Sequence, residues 1–133
     1  MAKQFTLGKN ERLKSRKQIE QLFSNGQRFV VPSYRVFYSL QPSTTEIPDS
    51  LQAGFSASSR NFKTAVARNR VKRLTREAYR LQKNTLKEKL QQQKRKLNVF
   101  FIYTGKELPK YEEVFESIRQ AIIRLDQIAN KNF

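Results

Sequence analysis

The 133-residue chain carries 27 Lys and Arg against 11 Asp and Glu, a formal net charge of +16 with a pI near 10.5. It has no Cys and no His, which excludes Cys/His zinc sites, a thiol nucleophile, a histidine base and any disulfide framework. So large an excess is beyond what solubility requires and calls for a polyanionic partner, either nucleic acid or an anionic membrane surface.

The length suits one domain over residues 1–133, with 1–8 expected to be flexible. Met1 to Leu7 contains no apolar stretch of the kind a secretory signal needs. Ser15 is a candidate N-cap, and Ile19, Leu22 and Phe23 follow at helical spacing up to Gly26, a natural stop. Arg28 to Leu40 is rich in Val, Phe and Tyr and predicts a strand interrupted at Pro32. Within it Val36 and Tyr38 share one face, and Arg35 and Phe37 the other. Gln41 to Ser50, with two prolines, predicts a loop, and Leu51 to Ala57 a short second strand.

Asn61 to about Gln93 predicts the longest helix, with Val71, Leu74, Ala78 and Leu81 as its buried stripe and a solvated end over Gln91 to Lys96. Leu97 to Thr104 is an apolar strand. Its core, Val99 to Tyr103, is the longest apolar run and far short of the ~20 residues of a membrane span. A cytoplasmic protein without a membrane partner is the expectation. After Pro109, apolar positions from Tyr111 to Ala129 form one broad helical face that would cover a sheet. The predicted order, α-β-β-α-β-α, is that of an α+β sandwich with helices packed on a small mixed sheet.

Charge is unevenly divided. Residues 1–96 hold 22 Lys and Arg and 6 Asp and Glu, while residues 97–133 hold 5 of each, so the whole excess lies in the first part. It is densest in Arg60, Lys63, Arg68, Arg70, Lys72, Arg73, Arg76 and Arg80, where Glu77 is the only acid. On a helix Lys72, Arg73, Arg76 and Arg80 fall together opposite the apolar stripe, with Asn69 pointing the same way. Solvated helix faces alternate signs, whereas Lys72/Arg76 and Arg76/Arg80 repel at i,i+4. A bound anion relieves that cost, and arginine's planar fork suits phosphate and stacks on bases. Of Phe23, Phe29, Tyr34, Phe37, Tyr38 and Phe55, most are expected in the core, but any ring on an open sheet face could stack an unpaired base. Glu112, Glu113 and Glu116 suit the start of a helix better than a metal site. Composition and pattern thus lead to a basic RNA- or DNA-binding α+β domain without catalytic side chains of its own.

Ala67-Arg68-Asn69-Arg70-Val71-Lys72-Arg73-Leu74-Thr75-Arg76-Glu77 resembles the Arg-Asn-Arg signature of the bacterial ribonuclease P protein subunit. Ala53-Gly54-Phe55-Ser56-Ala57 and Glu11-Arg12-Leu13-Lys14 are similar to further parts of that family, over roughly residues 9 to 130. The resemblance implies a ribonucleoprotein endoribonuclease that removes the 5′ leader of precursor tRNA, with its active site and Mg²⁺ in the RNA. It also implies a left-handed β-α-β crossover, against the usual hand. By the same resemblance Arg60, Lys63, Arg68, Asn69, Arg70, Lys72, Arg73 and Arg76 would dock on the catalytic RNA. Phe23, Tyr38, Arg12 and Lys14 would hold the precursor-tRNA leader. Three positions depart from the family pattern: Ile19 replaces a common aromatic, Ser59-Arg60 a pair of lysines, and Arg35 an apolar strand residue. A ribosomal or ribosome-assembly protein remains the alternative. No DNA partner is expected, for want of a helix-turn-helix pair or a dimerisation heptad.

Overall fold

The computed structural model describes residues 12–13, 15–42 and 51–131. The expected flexible start at 1–8, Lys14 and most of the loop expected over 41–50 lie outside the described residues. The elements are α1 (Arg16–Asn25), β1 (Gln27–Val31), β2 (Tyr34–Pro42), β3 (Leu51–Ala57), α2 (Ala65–Gln82), α3 (Asn84–Gln93), β4 (Arg95–Tyr103) and α4 (Tyr111–Lys131). The four strands form one sheet in the order β1-β2-β4-β3. β1 pairs with β2 and β2 with β4 antiparallel, while β3 and β4 lie parallel, joined through α2 and α3. The α+β class holds, with two elements more than the sequence pattern predicts.

The first extra element comes from Pro32. It breaks the extended stretch, as expected, and the break is a tight turn that folds the two halves into a hairpin, β1 at the sheet edge against β2, in which Ser33 takes a left-handed φ of 65°. Distant parts of the chain hold that turn. Ser117 donates its hydroxyl to the Pro32 carbonyl at 2.8 Å, and the Thr104 amide donates to the Ser33 carbonyl at 2.8 Å. The second comes from a bend at Lys83, which ends α2 and starts α3 while keeping helical dihedrals (φ −75°, ψ −23°). Just before it, the Gln82 side chain donates to the Ala78 carbonyl at 3.2 Å and to the Phe115 carbonyl of α4 at 3.1 Å. A side-chain donor placed on the i−4 carbonyl competes with the helical ladder and favours a kink. Residues 94–96, expected as a frayed end, instead close α3 and begin β4, with Lys94 at a left-handed φ of 55°.

The sheet has two unlike faces. On one, Val36, Leu51, Leu97, Val99 and Phe101 are buried beneath α2, α3 and α4 in the main core. Strand alternation sends Phe37 and Phe100 to the other face, where α1 covers them through Leu22. The buried side of α2 is Val71, Thr75, Ala78 and Tyr79. Leu74 is only half-buried and Leu81 is exposed, so the expected stripe is turned by part of a helical step. Tyr79 causes the rotation: its large ring packs between Phe55 and Phe101, at 5.4 and 5.6 Å. No helix among the described residues is long and apolar enough to cross a membrane.

Inside the main core Tyr34 and Thr75 share a hydroxyl–hydroxyl bond of 2.6 Å, and Thr75 donates to the Val71 carbonyl at 2.9 Å. Burial pushes the Tyr34 phenol up to about 12, with the Thr75 bond partly opposing. An unfolded tyrosine ionises near 10, so the folded state alone keeps this proton between those values. The Tyr34 contribution to stability should therefore be constant below pH ~10 and fall by about 1.4 kcal/mol per unit above it, until the folded pKa is passed. Burial also raises Tyr103 and Tyr111, which act in the same direction. Urea unfolding followed against pH checks this, and Tyr34→Phe should shallow the alkaline slope.

Candidate nucleic-acid interface

Thr64 caps α2, its hydroxyl accepting from the Ala67 amide at 3.2 Å. The cap fixes where the basic positions face. Asn69, Arg70, Arg73 and Arg76 are exposed, and Arg68 and Lys72 are half-buried at the helix's sheet-facing edge. Two expected members of the group are engaged otherwise. Arg68 donates to the Phe62 carbonyl at 2.7 Å and so ties the preceding loop to the helix. Arg80 forms a two-pronged pair with Glu77, whose carboxyl the Arg80 hydrogen bond holds below its usual range. Its charge is largely spoken for. Arg76 instead lies over the Phe55 ring, 6.0 Å from its centroid, and Phe55 in turn stacks on Phe101. The exposed cationic surface is thus Arg70, Arg73 and Arg76, with Arg60 and Lys63 exposed on the loop before the helix.

This surface continues onto the sheet. A groove of about 470 Å³ is lined by Ser56, Ser58, Ser59, Arg68, Lys72 and Ile102, with Ala57 between. Ser56 and Ile102 are partners across β3 and β4, and Ile102 also faces Arg35 of β2. All three belong to the face that α1 covers only in part. The next rung of that face is Phe37, Phe100 and Gly54. Phe23 of α1 meets Phe37 and Phe100 edge-on at 4.9 and 5.2 Å and remains 42% exposed. One ring is therefore presented to solvent on a support of two buried ones. Gly54 makes room for this arrangement: a Cβ there would stand 2.5 Å from the Phe100 ring, so any side chain would push that ring off the sheet.

Of the residues expected at a leader site, Phe23 lies at this cleft. Arg12 is exposed and bridges to Ala53 at the outer edge of β3, a position that faces the main core on the other side of the sheet, and it is the next residue, Leu13, that packs with Phe37 and Phe100. Tyr38 does not join Phe23. It lies one residue off in the strand alternation, so its ring turns to the opposite face, 5.7 Å from Phe29, and its hydroxyl donates to Gln27 Oε1 at 2.7 Å. Phe37 and Phe100 take the place expected for Tyr38. Sequence held the signal for Phe37, which shares a face with the exposed Arg35, while Phe100 reaches the cleft only through the register of β4. Glu112 and Glu113 open α4, where Glu113 accepts from the Lys110 amide at 3.1 Å, and Glu116 pairs with Arg119. These are helix-end and surface contacts, as the dipole argument expects. Among the described residues no three acidic side chains converge.

An arginine-rich helix that opens through a polar groove onto an aromatic sheet face places the chain among small RNA-binding α+β proteins. More narrowly, it belongs to the ribonuclease P protein family, whose model, described as Ribonuclease P, matches residues 7–126. The ribonuclease P protein component of Porphyromonas gingivalis is 38% identical over 121 residues, covering 91% of this chain and 87% of that protein. That of Chlorobium phaeobacteroides is 33% identical over 128 residues, covering 90% and 85%. The Staphylococcus aureus RNase P protein has the same fold, with a TM-score of 0.64 at 18% identity over 86% of this chain and 94% of that one. A mutant of that protein with defective mRNA degradation activity gives 0.61 at 17% identity over 90% of each. Family membership sets the chain in ribonuclease P and tRNA 5′ processing, in place of the ribosomal alternative.

Proposed function

We propose that this protein is the RNA-binding partner of a catalytic RNA in a cytoplasmic ribonucleoprotein, and that it holds the 5′ leader of precursor tRNA beside the cleavage site. The observation that carries the proposal is the continuity of the groove, from Arg68 and Lys72 across Ile102 to the rings of Phe23, Phe37 and Phe100. Arg70, Arg73 and Arg76 have the exposure and fork geometry to dock on folded RNA through its phosphates. The aromatic cleft suits an unpaired strand, because every base has a face to stack. Cleavage belongs to the RNA on this reading, since the chain has no His or Cys for acid–base or nucleophilic work. On this reading Mg²⁺ serves the holoenzyme mainly at the RNA.

Enzyme RNA and substrate are both polyanions, and either Mg²⁺ or protein must screen their repulsion. Precursor-tRNA cleavage by the cognate RNA, with and without the protein, tests the proposal. The protein should raise kcat/KM on the order of tenfold or more at low Mg²⁺, and the gain should shrink as Mg²⁺ rises. The effect should sit in substrate binding, because uniform binding does not accelerate the chemical step. Cleavage by the protein alone would overturn it.

A further inference from the structure

The loop between β3 and α2, residues 58–64, carries Arg60 and Lys63, both exposed, and is fastened on several sides. Its first half is a closed turn. The Phe62 amide donates to the Ser58 carbonyl at 3.0 Å, and the Arg60 amide to Ser58 Oγ at 3.2 Å. Arg68 of α2 holds the Phe62 carbonyl, and the buried Phe62 ring lies 5.9 Å from that of Tyr103. The last fastening is Asn61. Its Nδ2 donates to the carbonyls of Thr104 and Gly105, both at 3.2 Å, across 43 and 44 residues of chain. Those acceptors are themselves fixed: the Thr104 amide is bonded to Ser33, and a Cβ at Gly105 would collide with the Tyr103 hydroxyl. One side-chain amide thus ties the loop to the end of β4.

A cation on a mobile loop loses backbone and side-chain freedom when it meets a phosphate, and that loss is subtracted from the affinity. A loop already ordered in the free protein avoids it. Asn61 is half-buried and outside the apolar clusters, so the core does not depend on it. Its bonds act on the loop alone. We propose that Asn61 is a positioning residue for RNA docking. By fastening the loop to β4 it keeps Arg60 and Lys63 in fixed register with Arg70 and Arg73 of α2, so that both sets meet phosphates without ordering the loop on binding. The inference rests on the reading that α2 docks on folded RNA.

Affinity for the catalytic RNA is measured over a salt series for wild type, Asn61→Ala, Arg60→Ala/Lys63→Ala, the triple variant and Arg70→Ala. Asn61→Ala should bind about tenfold more weakly at an unchanged log–log salt slope, because both cations still reach their phosphates once the loop is ordered. Arg60→Ala/Lys63→Ala should instead make the slope shallower, by roughly 0.7–0.9 per phosphate given up. In that background Asn61→Ala should cost less than about twofold, since no cation remains to be placed. Amide hydrogen exchange in the free protein reads the cause directly: Phe62 should exchange faster in Asn61→Ala, while the amides of β4 keep their wild-type protection. Equal losses from Asn61→Ala in both backgrounds mark a general effect on folding and overturn the proposal, as does wild-type affinity in Asn61→Ala. A salt slope lowered to that of Arg60→Ala/Lys63→Ala overturns it too, because the phosphate contacts are then lost. If only Arg70→Ala weakens binding, this inference alone fails, and if Arg70→Ala has no effect either, the docking reading beneath it fails.

Discussion

Replacing Arg70, Arg73 and Arg76 together by alanine is expected to weaken binding of the catalytic RNA about a thousandfold at moderate salt. Each guanidinium is exposed on one side of α2, and a charge-assisted hydrogen bond to phosphate is worth ~1.5 kcal/mol or more, about tenfold apiece. The log–log salt dependence should become shallower by two to three units, or roughly 0.7–0.9 per phosphate released. The fold should survive, because α2 is anchored on its other side by Val71, Thr75, Ala78 and Tyr79. Removing like charges at i,i+3 spacing should even raise the melting temperature slightly. Alanine at the exposed Lys106 and Lys110, outside the basic region, should change affinity and salt slope little. Equal losses from both sets would show that binding follows net charge rather than this helix. Arg68→Ala is a poorer probe, since it also unties the Phe62 carbonyl.

The second large effect is expected from Phe23→Ala. Loss of one stacked base costs ~1–3 kcal/mol, so affinity for precursor tRNA should fall roughly 5- to 150-fold while mature tRNA, lacking leader bases, is affected much less. Phe23 also touches Phe37 and Phe100, and losing those edge-on contacts should cost ~0.5–1.5 kcal/mol of stability each. The precursor-to-mature ratio isolates the stacking role, because instability lowers both affinities alike. Phe37→Ala and Phe100→Ala remove buried rings and should destabilise by ~3–5 kcal/mol, which makes them tests of folding first. Tyr38→Ala provides the sharpest contrast. It lies on the far face of β2, so the ratio should stay at the wild-type value.

That contrast between Phe37 and Tyr38 marks where local sequence pattern stops specifying the site. Local signals carried α1, from the Ser15 cap to Gly26, and β3 and α4, whose alternation and helical spacing survive in the structure. The arginines of α2 were legible because charge on a helix needs no partner to be seen. The hairpin was not, because its Pro32-Ser33 turn is held from Thr104 and Ser117, over 70 residues away in sequence. Leu81 looked buried by spacing, but Tyr79 is larger and turns the helix towards Phe55 and Phe101. The aromatic cleft was half visible. Parity along β2 separates Phe37 from Tyr38, yet only sheet register brings Phe100 to the same face. A cleft assembled from α1, β2 and β4 leaves no local pattern in any one of them.

The position of β4 has a consequence for how the protein comes into being. It is the last strand to be synthesised, yet it sits between β2 and β3 and is the only neighbour through which the two join. While the chain is still emerging, β1 and β2 can form a hairpin, but β3 has no strand to pair with. Both Phe100 and Ile102 of the cleft, and Val99 and Phe101 of the main core, arrive on that one segment. The basic helix is therefore made before there is a sheet for it to rest on. Contacts of such long range close slowly and leave apolar surface open meanwhile. Insertion of β4 completes the hydrophobic interior and the aromatic cleft in a single step, so a chain that has not finished folding has no cleft to offer.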